Sequence, residues 1–97
     1  MARARPKKQG RAKALQTPAG RAAYLEAALK RGDSTVIAAA LGEMARIDGM
    51  THMARACGLG RQGMYRTLSR SGNPGLRTLL RVLEVLGIRL RAAPAKR

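Results

Sequence analysis

Ninety-seven residues are enough for one small domain. Lysine and arginine number 20 against five acidic residues, a formal charge of +15, and such a surplus repels itself until it meets an anion, most commonly nucleic acid phosphate. Two tyrosines with no Phe or Trp, a lone Cys57 and no long apolar run argue against base-stacking single-strand binding, a disulfide framework, a cysteine-built zinc site and a membrane-spanning helix.

Residues 1–16 read as a disordered basic arm: Arg3, Arg5, Lys7, Lys8, Arg11 and Lys13 are interleaved with Ala, Pro6 and Gly10, leaving little apolar surface to fold. Arg3, Arg5, Lys7 and Lys8 could track phosphates or enter a minor groove, or the arm could be a solvated tail. Thr17-Pro18 opens a helix as cap and first residue. Its stripe is Tyr24, Leu25, Ala28 and Leu29, and Gly32 ends it. Asp33 caps a second helix to Asp48, with Ile37, Leu41, Met44 and Ala45 facing inward.

Met50 to Leu68 reads as two short helices broken at Gly58-Leu59-Gly60. Thr51 can cap the first, where Met53, Ala54 and Cys57 share one face. Gly58 ends it by reaching positive φ, and Gly60 caps the second helix, which runs to about Arg70. Small Ala54, the glycine four residues later and the apolar residues beyond it form a helix-turn-helix pattern. The same pattern suits a tight corner in any all-α domain. Outward-facing Arg61, Gln62, Arg66 and Arg70, together with the charge, favour a helix lying in a DNA major groove. Thr51, at the entry to the pair, is counted with them.

Asn73 and Pro74 are expected to start the last helix, whose broad apolar face is Leu76, Leu79, Leu80, Leu83 and Leu86, with Gly87 its end. Ile88-Arg89-Leu90-Arg91 alternates as a short strand would. A lone strand needs a partner, either a copy of itself or another protein, so Leu83, Leu86, Ile88 and Leu90 are the expected homodimer interface. The last residues are a basic tail.

Chemistry is sparse. No pair among Glu26, Asp33, Glu43, Asp48 and Glu84 is spaced for acid–base work. His52 reads as a surface residue, and Cys57 as a small core residue with no histidine to activate it. No enzyme activity, metal or cofactor is expected.

Several stretches in order carry a resemblance: Ala23-Tyr24-Leu25, Gly32-Asp33, Ile37-Ala38-Ala39-Ala40-Leu41-Gly42, Gly58-Leu59-Gly60-Arg61, Met64-Tyr65, Gly72-Asn73-Pro74 and Leu86-Gly87-Ile88-Arg89-Leu90. Over 17–92 the chain resembles the probable addiction-module antidote proteins, small antitoxins of the Cro/repressor type similar to HigA. The resemblance implies an all-α, five-helix, lambda-repressor-like helix-turn-helix domain. It also implies a cytoplasmic, nucleoid-associated homodimer that binds operator double-stranded DNA, represses its own type II toxin-antitoxin operon and neutralises a RelE/ParE-like toxin. By the family pattern Arg61, Gln62 and Arg66 face the DNA. A free-standing repressor and an architectural nucleoid-type protein without a toxin stay open beside it.

Overall fold

The computed structural model describes residues 12–95, which form six helical segments and no strand. A helical turn at 12–14 leads into α1 (Pro18–Arg31), α2 (Ser34–Asp48), α3 (Met50–Cys57), α4 (Arg61–Thr67) and α5 (Leu76–Leu86). The caps of the first two long helices follow from their residues. The Thr17 hydroxyl accepts from the Gly20 N–H at 3.1 Å. The Asp33 carboxylate accepts from both the N–H and the hydroxyl of Thr35, and these two bonds hold its carboxyl below the ordinary carboxylate range.

One core joins all the helices. Leu25, Leu41, Met44, Met53, Met64, Leu68, Val82, Leu83 and Leu86 are buried in it, with Tyr24, Ile37 and Cys57 packed at its edge. In the absence of Phe and Trp, unbranched Met and Leu fill the spaces between helices that meet at different angles. The α2–α4 approach is tight: a Cβ on Gly42 would stand 2.0 Å from the Leu68 carbonyl oxygen, so no larger residue fits at that crossing.

Five features depart from the sequence expectations. Residues 12–16 belong to the fold rather than to an arm, because Leu15 is 1% exposed within the core. Arg21 secures it: its Nε donates to the Leu15 carbonyl at 2.8 Å, and Nη1 to the Leu86 carbonyl at 3.0 Å. The Arg21 Nη2 lies 3.5 Å from the Asp48 Oδ1. One guanidinium thus ties the chain's entry, the end of α2 and the end of α5 together, which suits its planar fork of donors.

Thr51 caps nothing. The Gly49 N–H closes α2 on the Ala45 carbonyl at 2.8 Å and the Gly49 carbonyl opens α3 by accepting from Met53 at 3.0 Å. One residue ends one helix and starts the next, which leaves Thr51 already inside α3. Helix α4 stops at Thr67, short of Arg70. There the Ser69 hydroxyl donates to the Arg66 carbonyl, competing with the backbone ladder, while buried Leu68 turns into the core.

The fourth departure is the C-terminus. The expected strand over Ile88 to Arg91 does not form, and five helices become six segments. The Gly87 N–H bonds the Glu84 carbonyl and the Ile88 N–H bonds the Leu83 carbonyl, a Schellman motif that folds Ile88 back onto Leu83. The chain then runs irregularly beside Ala22, Leu25, Glu26 and Leu29 of α1. Among the described residues it has no neighbouring strand to pair with, and its alternation is satisfied by lying on a helix. Helix α5 likewise starts at Leu76 behind Gly75, without a side-chain cap from Asn73.

Candidate nucleic-acid interface

The geometry begins at the end of α3. The Gly58 N–H bonds the Arg55 carbonyl at 3.2 Å and the Leu59 N–H bonds the Ala54 carbonyl at 2.9 Å, with Gly58 at φ 69°. This motif requires a left-handed residue. It reverses the chain within three residues, and extended Gly60 delivers Arg61 as the first residue of α4.

Thr51, Ala54 and Arg55 of α3, Leu59 of the turn and Arg61 of α4 consequently surround one open cleft of about 290 Å³. No acidic residue lines it. Thr51 and Arg55 meet there because residues four apart share a helix face. Arg61 is steadied by Tyr65 one turn on, with its guanidinium carbon 5.7 Å from the ring centroid. Gln62 and Arg66 are exposed on the same short helix, whose Met64 is buried.

The structure therefore brings together Thr51 and Arg61 of the residues expected to meet DNA, with Gln62 and Arg66 exposed beside Arg61. It adds Arg55, which the sequence reading missed although its spacing from Thr51 carried the signal. Arg70 lies elsewhere, in a groove between α1 and α2 with Arg31. Arg3, Arg5, Lys7 and Lys8 lie outside the described residues. Of the expected dimer residues, Leu83 and Leu86 are consumed by the core, Ile88 is half-buried and Leu90 is exposed.

Other titratable groups are accounted for by packing. His52 is exposed on α3, and Cys57 is half-buried, where burial pushes its thiol up from the ordinary value. Glu43, expected on an outer face, is half-buried and accepts from the Tyr24 hydroxyl. Among the described residues no cluster of His, Cys, Asp and Glu is placed to hold a metal, and no helix is long and apolar enough to cross a membrane.

Fold and surface together define a small all-helical protein with a basic, acid-free cleft between two short helices. Residues 7–94 match the family model described as probable addiction module antidote protein, and the chain belongs to that family. An uncharacterized protein of Haemophilus influenzae strain Rd is 33% identical over 73 residues, 75% of each chain. No solved structure matches. Membership makes this an antitoxin-family protein, and an antidote implies a toxin as counterpart.

Proposed function

We propose that this antidote is a sequence-selective DNA-binding protein that represses its own operon, with α3 and α4 acting as a helix-turn-helix. The observation that carries the reading is the cleft: Thr51, Arg55 and Arg61 converge on acid-free surface, with Gln62 and Arg66 exposed on α4. Arg61 and Gln62 occupy the first turn of α4. Arginine pairs with guanine and glutamine with adenine through paired hydrogen bonds in the major groove. Arg55 and Thr51, set back on α3, suit phosphate contacts that fix register.

The test is fluorescence anisotropy on the duplex upstream of the gene and on a scrambled duplex of equal length. Arg61→Ala or Gln62→Ala is expected to cost about 1–3 kcal/mol on the upstream duplex and little on the scrambled one. Arg55→Ala should weaken both alike. Equal losses for Arg61→Ala on the two duplexes would remove base reading. Wild-type binding that differs less than about tenfold between them would favour an architectural role instead.

The reading includes a homodimer, since one small reading head makes few specific contacts and two-fold sites about a helical turn apart are the usual arrangement. With Leu83 and Leu86 buried, the exposed apolar residues on and around the 88–91 segment are Leu29, Leu80 and Leu90. Leu80→Arg with Leu90→Arg is expected to convert a micromolar dimer to monomer in sedimentation equilibrium, with the helical circular dichroism of the folded chain retained below its melt. An unchanged dimer would move the interface off this face. The toxin half of the reading, a co-encoded RelE/ParE-like protein, rests on the resemblance and on family membership.

A further inference from the structure

The groove between α1 and α2 is separate from the cleft and shares no residue with it. Its floor is Ala27, Ala28, Val36, Ala39 and Ala40, and its rim carries Arg31 and Arg70. Alanine at four of these five positions keeps the floor low, so that a second helix or an extended segment can approach the backbone closely. At about 320 Å³ the space is at the lower end of those that enclose a whole small ligand. It is better suited to a few side chains projecting from a larger partner.

We propose that this groove is the docking site for an acidic, amphipathic segment of the protein's toxin counterpart, apolar side chains on the alanine floor and carboxylates on Arg31 and Arg70. The proposal rests on the antidote reading and adds the surface and the chemistry of recognition.

Two observations favour this occupant. Arg31 and Arg70 are exposed and neither has a carboxylate within ion-pair distance among the described residues. Asp33, the acid nearest in sequence to Arg31, caps α2 through Thr35, and Arg70 acts on it only as a nearby charge, without an ion pair. A planar guanidinium pairs with a carboxylate through two parallel hydrogen bonds, which fixes orientation as well as charge. At a formal charge of +15, a partner that presents no local negative surface is also repelled before contact.

A DNA backbone fits this groove less well. Phosphates gain nothing from an alanine and valine floor, whereas apolar side chains of a peptide do; the Glu43 carboxylate on the groove wall repels either anion and does not separate the two. An apolar floor with cations at the rim is instead the pattern met by a helix laid into a groove with charged flanks.

The experiment uses the full-length protein and, as probe, the protein encoded beside it. Isothermal titration compares wild type, Arg31→Glu with Arg70→Glu, Ala39→Arg, and the cleft pair Arg55→Ala with Arg61→Ala. All the substituted side chains are at least partly exposed, and a thermal melt of each variant confirms its fold. The charge reversal is expected to weaken partner binding by about 100-fold or more, and Ala39→Arg to weaken it by filling the groove. The cleft pair should leave partner binding unchanged while losing duplex affinity.

Unaltered partner binding in the Arg31→Glu, Arg70→Glu protein overturns the docking site while leaving the antidote reading intact. A charge reversal that weakens duplex binding but not partner binding overturns it in favour of a phosphate site. If wild type does not bind the neighbouring protein at all, the antidote reading fails, and the docking site with it.

Discussion

Without residues 1–11, the protein is expected to bind duplex DNA with a slope of log K against log salt flatter by up to about 4.5, at about 0.9 for each lost phosphate contact. The deleted stretch holds five basic residues, Arg3, Arg5, Lys7, Lys8 and Arg11, and no acidic one. Each that lies on a phosphate displaces condensed counterions, and the affinity it contributes depends on salt. A deletion through Gln16 is a different experiment. It also removes Leu15, which is 1% exposed in the core, and the carbonyl that the Arg21 Nε donates to. Emptying the site of a buried leucine costs about 2–5 kcal/mol, so the longer deletion should melt well below the shorter. An unchanged salt slope in the 1–11 deletion would mean that the arm touches no phosphate. Identical melting of the two deletions would mean that Leu15 is not docked in solution.

The difference between those deletions shows where sequence reading succeeds and where it stops. Elements that depend on nearest neighbours were legible. Thr17 and Asp33 cap because their side-chain oxygens reach backbone N–H groups a few residues on, and Gly32, Gly58 and Gly87 end helices because αL geometry suits them. Leu41, Met44, Met53, Met64 and Leu68 follow from helical period, and all are buried.

What depends on distant segments was not legible. Leu15 sits alone among basic residues, and its burial is decided by Arg21 and by the helices it docks on. Arg21 itself looks like any arginine on a helix surface, yet it joins three segments, the farthest of them 65 positions from it. The alternation from Ile88 to Arg91 fits a strand and also fits an irregular chain lying on a helix, and only the position of α1 separates the two. At the site, Arg61, Gln62 and Arg66 could be placed on α4 from spacing alone. Arg55 came into view when the turn brought α3 against Arg61. Arg70 lines the α1–α2 groove and not the cleft, because α4 ends three residues earlier than its composition suggests.

Gly42→Ala carries a large expected loss of stability for a single methyl group, and its sign is informative. Gly42 lies inside α2, where helix propensity alone favours alanine over glycine by about 1 kcal/mol. Against this, the added Cβ would meet the Leu68 carbonyl oxygen at 2.0 Å and its carbon at 3.1 Å. Both obstacles are backbone, so no side chain can rotate away. Neither segment yields easily: Leu41 and Met44 anchor α2 in the core, and Leu68 is itself buried. Overpacking a rigid site costs about 1–3 kcal/mol and sometimes more; a backbone clash this close belongs at the upper end, which after the propensity gain leaves a net loss of about 2 kcal/mol. At about 4–8 °C per kcal/mol for a domain of this size, that lowers the melting temperature by roughly 8–16 °C. DNA affinity should fall with it even well below the melt, because Leu68 directly follows α4 and any shift there moves Arg61 and Gln62. Gly63→Ala is the control on α4, since nothing lies within 4 Å of its added Cβ; it should stabilise by about 0.5–1 kcal/mol. Calorimetric melts of the two variants beside wild type decide the matter. A Gly42→Ala protein that melts at or above wild type would show that α2 and the end of α4 do not approach so closely in solution.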